Sequence, residues 1–209
     1  MRTPYAFSTV CFPPVNRMAS ILRGDTEQQT GKPRLRCRNG LRILAALKIK
    51  ETDGTPTEVL PNLYIGSIGA AVNNERLQEL GITNVLSLCG DIGFKKVEEI
   101  SYKYFNVSDK PKNMHELFSI LNDCVLYIDE VLSERRRERT HEGRCTNRIL
   151  VHCMMGRSRS ATVVIAYLMM KHSMKWREAL EFLRGKRPIV EPNIGFVIGL
   201  RKLERGSTQ

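Results

Sequence analysis

The stretch VHCMMGRSRSATVV, residues 151–164, decides how this 209-residue chain is read. RILVH (148–152) leads into it and reads as a strand. The apolar run after it, roughly 158–172, reads as a helix. Cys153 therefore ends a strand, and the residues between strand and helix form a tight loop at a helix N-terminus. There the backbone N–H groups of Met154, Met155, Gly156, Arg157, Ser158 and Arg159 can turn inward as a nest for an anion. Gly156 lets the chain turn with no Cβ in the way. Arg159 adds a planar fork that matches two oxygens of a phosphate. The same positive field favours thiolate over thiol, and cysteines at such helix ends have pKa values lowered to about 3.5–7.5. Cys153 is thus a candidate nucleophile for phosphorus. An inert core cysteine would also suit an apolar strand end, but it would leave Arg157 and Arg159 in the same loop unexplained.

Working outward, SIGAAVNNERLQELG (67–81) reads as one helix with Ser67 as N-cap and Gly81 just past its end. NLYIG (62–66), ITNVLSLC (82–89) and YKYFNV (102–107) read as strands. Residues 113–134 carry Leu117, Ile120, Leu121, Val125, Ile128 and Leu132 near a 3.6 period, the mark of a long helix. Helices follow at 176–185 and at 193–205, the last opened by Pro192. Strands alternating with helices give an α/β fold with a central, largely parallel sheet flanked by helices.

Composition bounds the rest. At 42% hydrophobic residues the chain can bury one sizeable core. No apolar run approaches the roughly 18–20 residues that span a bilayer. Six cysteines (11, 37, 89, 124, 145, 153) are irregularly spaced without a CxxC pair, and four histidines (115, 141, 152, 172) are scattered. Neither a disulfide scaffold nor a metal site is indicated, no cofactor is expected, and a reducing compartment, cytoplasm or nucleus, is the default. The net charge of +11 is concentrated in residues 1–50, which hold ten Lys/Arg against two Asp/Glu, while residues 51–209 hold 23 against 20. The charge thus belongs to an extension, drawn as 1–57 ahead of a domain at 58–206, and a nucleic-acid interface on the globular part is not expected. Residues 1–24 have three arginines and no acid, a composition that suits an organelle transit peptide and a free tail equally. Residues 32–50 carry seven cations and no acid. Their apolar residues wrap most of a helical wheel, and LKIK (47–50) alternates like a strand. A calmodulin or kinase docking role stays open beside a plain solvated arm.

HCMMGRSRS (152–160) resembles the HCxxGxSRS loop of dual-specificity protein phosphatases, within the wider HCx5R class. LPNLYIGSIGAA (60–71), AYLMMKHSMKWREALEFLRGKRP (166–188) and PNIGFVIGLRKLE (192–204) are similar to that family's framework, and ILAALKIKETDGTPTEVLPNLYIGSIGAA (43–71) resembles small plant-type members. The resemblance implies hydrolysis of phosphotyrosine, phosphoserine and phosphothreonine through a cysteinyl-phosphate, with no metal. It implies a phosphoprotein substrate, a MAP kinase among the candidates. It places the general acid at Asp109, in the loop before the long helix, ahead of Asp91 and Glu98. It gives Ser160 the role of donating to the thiolate, and His152 and Asn193 supporting roles. Cys89, at the strand end that the topology brings to the same sheet edge, matches a resolving cysteine of some members and equally suits plain core packing. Two alternatives share the fold: a catalytically silent phosphate-binding module, and a phosphatase of phosphoinositide, phosphoglucan or RNA 5′-phosphate. The MMGRSRS loop lacks the extra lysines or Arg-Ala-Pro ending of the non-protein enzymes.

Overall fold

A computed structural model describes residues 36–133 and 147–206, with side chains from residue 40. The transit-peptide reading, Cys11, Cys37 as a side chain, Cys145 and most of the charged segment after the long helix lie outside the described residues. Five strands form one sheet in the order β1-β2-β5-β3-β4: β1 Thr57–Leu60, β2 Leu63–Gly66, β3 Asn84–Ser87, β4 Ser101–Tyr104 and β5 Ile149–His152. Only β1 runs antiparallel to its neighbour; β5 pairs in parallel with β2 on one side and β3 on the other. Such a central strand is buried on both faces, which is why Ile149, Leu150 and Val151 are apolar without alternation.

Successive side chains of each strand enter opposite layers. Ile149 and Val151 of β5, Leu63 and Ile65 of β2 and Leu86 of β3 face the larger core. That core is closed by α5 Leu121–Ser133, α6 Arg159–His172, α7 Trp176–Lys186 and α8 Ile194–Gly206. Leu150, Tyr64 and Val85 face the other way, toward Leu77, Ile82 and Ile100. A fully buried leucine or isoleucine of this kind contributes about 1.5–3 kcal/mol.

The structure departs from the sequence-based expectation in four places. The single helix over 67–81 is two, α2 Ile68–Ala71 and α3 Asn74–Glu79. Ser67 caps α2 as expected, accepting from Ala70 N. At the break Asn73 N bonds three residues back, to Ala70 O, and the Asn73 side chain donates through Nδ2 to the Gly54 carbonyl at 2.8 Å, tying this corner to the end of α1. The long helix over 113–134 is likewise a 3₁₀ turn Pro111–Asn113, α4 Met114–Ser119 and α5, interrupted at Ile120. There the Ser119 hydroxyl donates to Glu116 O at 2.9 Å and Ile120 N bonds three residues back, to Leu117 O. Thr57–Leu60 is a strand the pattern missed: a short edge strand in which only Val59 is buried.

The largest correction concerns LKIK, which is helical. It closes α1 Arg36–Asp53, which packs on α2 through Ala46 and Ile49 against Ile68, Cys89 and Ile92. The helices touch backbone to backbone at Gly69, where a Cβ would lie 2.5 Å from Lys50 N. The described residues 36–57 accordingly belong to the compact unit and are not an extension ahead of it. No described helix is long and apolar enough to cross a membrane.

Candidate active site

The loop from Cys153 to Ser158 joins the central strand to α6, so its two ends are fixed by a strand buried at all four positions and by a helix with nine of its fourteen residues buried. Gly156 adopts φ +63, and a Cβ there would meet the Gly66 carbonyl group at 2.5 Å. Glycine is required on both counts. Cys153 is 1% exposed. Burial raises its pKa, but the charge of Arg159, the Ser160 hydroxyl and the N–H groups of Ser160 and Arg157 outweigh it, and the thiol is held below its ordinary value. The Ser160 Oγ–Sγ distance is 3.3 Å.

Arg159 lies between the loop and the acid. Its Nη1 donates to Val107 O at 3.0 Å and to Leu88 O at 3.4 Å, while Nε is buried without a hydrogen-bond partner. That Nε sits 3.6 Å from Asp109 Oδ2, an ion pair longer than a hydrogen bond. Asp109 is held from the other side. Ser158 Oγ donates to its Oδ1 at 2.6 Å, and Asn193 Nδ2 donates to the same oxygen at 2.9 Å. Asn193 in turn accepts from Phe196 N, so the residue that caps α8 also aims the carboxylate. The Asp109 side chain remains 38% exposed, open to a cleft of about 510 Å³ whose walls include Cys153, Met155, Arg159, Ile194 and Val197.

The other expected site residues divide. The His152 imidazole is buried behind the loop, where Nδ1 donates to Cys153 O at 3.2 Å; burial pushes its pKa down to about 4, so it is neutral. It supports the loop and carries no charge to the thiolate. The Arg157 side chain turns outward to an ion pair with Glu191, and Ser158 spends its hydroxyl on Asp109, so both can meet phosphate through backbone only. Met154 packs inward beside the α1–α2 contact, while Met155 stands 49% exposed on the rim. Asp91 is paired with Lys96 at 2.8 Å and belongs to a separate small cavity; of the two carboxylates lining the cleft, Glu191 is spent on its ion pair with Arg157, and Asp109 is the one held beside Arg159. Cys89 is fully buried; burial raises its pKa most, and its Sγ meets Ser87 Oγ at 3.6 Å. Among the described residues, no group of three or more His, Cys, Asp or Glu is placed to hold a metal ion. One contributor escaped the sequence reading: Arg187, buried beneath the loop, whose Nε donates to Gly156 O at 3.1 Å. It lies inside LRGKRP, a framework stretch with no chemistry-bearing pattern of its own.

Residues 63–206 match the family described as dual specificity phosphatase, catalytic domain. The chain is 32% identical over 165 residues to dual specificity protein phosphatase 1 of Arabidopsis thaliana, covering 79% of this chain and 77% of that protein. It is 37% identical over 151 residues to dual specificity protein phosphatase 4 of Homo sapiens, covering 72% of this chain but 35% of that longer one. Its fold is similar to the crystal structure of DUSP15, with a TM-score of 0.63 at 29% identity over 75% of this chain and 91% of the other. With the family's catalytic-domain pattern matched over residues 63–206, most of its length, this chain belongs to the dual specificity phosphatase family.

Proposed function

We infer that the protein hydrolyses phosphotyrosine and phosphoserine or phosphothreonine in protein substrates through a cysteinyl-phosphate. The observation that carries this is Cys153, lowered in pKa at the floor of a cleft into which the Asp109 carboxylate opens. In the first step Sγ forms a bond to phosphorus as the ester P–O bond breaks, and Asp109 gives its proton to the departing oxygen. In the second, water attacks phosphorus, Asp109 takes its proton back, and the S–P bond breaks to release phosphate and thiolate. Arg159 and the loop N–H groups hold the equatorial oxygens through both steps. Ser160 donates to the leaving thiolate.

Breadth of substrate is supported by the cleft walls. No aromatic ring is among the described residues lining it, so nothing there deepens the pocket to the reach of tyrosine alone. Phosphopeptides carrying each of the three phosphoresidues, assayed side by side, are all expected to turn over; rejection of phosphothreonine at high enzyme would confine the activity to tyrosine. With the same peptides Asp109→Ala should lose about 10²–10⁴-fold in kcat, and less with an activated aryl phosphate whose leaving group needs little protonation. Equal losses would move the acid role elsewhere.

A docking role for the basic segment 32–50 is the finer proposal; residues 32–35 lie outside the described part. Its support is the α1 surface, where Leu41, Leu44 and Leu47 are 72%, 64% and 47% exposed beside Arg42 and Lys48, a face suited to an acidic partner with an apolar groove, such as calmodulin or a kinase. Leu44→Asp should abolish co-purification with such a partner while leaving peptide turnover intact; unchanged binding would dismiss it.

A further inference from the structure

Arg187 follows α7, is 6% exposed, and is spent entirely on the fold. Its Nη1 and Nη2 donate to Asp53 Oδ1 and Oδ2 at 3.1 and 2.5 Å, and Nη1 also to Thr57 Oγ1 at 3.3 Å. On its other side Nε donates to Gly156 O at 3.1 Å and Nη2 to Met155 O at 3.3 Å. Both carbonyls belong to the phosphate loop. A trans peptide is planar, with its C=O and the following N–H pointing in opposite directions. Holding Met155 O and Gly156 O outward therefore turns the N–H groups of Gly156 and Arg157 inward. The Arg157 N–H is one of those that donate to Cys153 Sγ.

Asp53 is the last residue of α1, and that end of the helix is separately anchored. Ser67 Oγ donates to Asp53 O at 2.8 Å, Asn73 Nδ2 donates to Gly54 O at 2.8 Å, and Gly69 meets the α1 backbone. The family match starts at residue 63, so Asp53 and Thr57 precede it. Because Asp53 pairs with Arg187, the two together add no net charge beneath the loop, and their hold on it is geometric.

We propose that Asp53 and Arg187 are positioning residues for the phosphate cradle: the α1 carboxylate fixes the guanidinium, which fixes the two peptide planes whose N–H groups face the thiolate and its phosphate. The inference rests on the phosphatase reading, and its test is chosen to be separable from it. Inorganic phosphate is titrated calorimetrically into wild type, Asp53→Asn, Asp53→Glu and Arg187→Lys, with a melting curve for each. Asp53→Asn and Arg187→Lys should bind about ten- to a hundredfold more weakly, the range expected for losing a hydrogen bond to a charged group. Asp53→Glu, which keeps the carboxylate, should recover most of the affinity. A lysine fails because one ammonium cannot meet two carbonyls and both carboxylate oxygens. Wild-type affinity in a folded Asp53→Asn or Arg187→Lys, with only the melting temperature lowered, would show a merely structural pair and overturn the proposal. Should both fail to fold, Thr57→Val, which removes one neutral partner of Arg187, is expected to bind about two- to tenfold more weakly, and unchanged affinity there overturns it equally. If wild type binds phosphate but turns over no phosphoester, it is the phosphatase reading that fails, and the variants' phosphate affinities still decide whether Asp53 and Arg187 position the loop.

Discussion

Strands β5 and β3 lie side by side in the sheet, in register from Ile149 and Asn84 to His152 and Ser87, and each runs into a buried cysteine. Cys153 is 1% exposed and Cys89 0%, so burial opposes ionisation in both, yet their pKa values move in opposite directions. After β5 the short Cys153–Ser158 loop leads into α6, bringing Arg159, the Ser160 hydroxyl and two backbone N–H groups onto the sulfur. After β3 it turns back through Gly90, and Ser87 is the principal group to set against burial. Cys124, inside α5, has only the Lys103 charge to set against burial and is pushed up to about 12. A thiol in this fold is made acidic by the loop that follows it and not by its depth.

The most direct way to break this contrast is to remove each sulfur in turn. Cys153→Ser should abolish turnover while phosphate or vanadate still binds, since Arg159 and the loop N–H groups remain; Cys89→Ser should keep its activity. Hydrolysis by a clean Cys153→Ser preparation would end the covalent mechanism.

Alkylation rates against pH sharpen it further. Only thiolate reacts with iodoacetamide, so each rate rises as pH passes the pKa of its thiol. The Cys153 midpoint should fall below the ordinary value of about 8.5 and the Cys89 midpoint above it. Coincident midpoints would mean that the loop does no electrostatic work.

The smallest expected effect is redox. We propose that Cys89 traps Cys153 after oxidation to a sulfenic acid, forming the Cys89–Cys153 disulfide with loss of water, to be reopened by added thiol. After a peroxide pulse and thiol treatment, wild type should recover a few times more activity than Cys89→Ser. Equal recovery, with no Cys89–Cys153 peptide by mass mapping, would leave Cys89 as core packing.

Legibility followed distance along the chain. Cys153, Gly156 and Arg159 could be read because they stand within seven residues of one another, and β5 because a doubly covered strand is apolar on both faces, as Ile149, Leu150 and Val151 are. Asp109 was reached only through family likeness, since what marks it, Ser158 and Asn193, comes from 49 and 84 positions away. The Arg187–Asp53 pair spans 134 positions and left no local pattern. α1 was misread for a related reason. Its buried face is narrow, Ala46 with Ile49 beside it, and the leucines that blurred the wheel are on the outside. The breaks at Asn73 and Ile120 are tertiary and local competitions for carbonyls that periodicity does not register.

The central place of β5 also bears on when the chain becomes reactive. During synthesis β2 and β3 emerge first but are not neighbours; the gap between them is filled only by a strand 65 to 86 positions later, pairing Val85 with Leu150 and Leu63 with Ile149. Parallel pairings of such separation are among the slow steps of folding. The strand that completes the sheet is the one that carries the nucleophile, and the cation and N–H groups that acidify it are translated after it. A nascent or half-folded chain thus holds an ordinary thiol at position 153, and the vulnerable thiolate comes into being only with the finished protein.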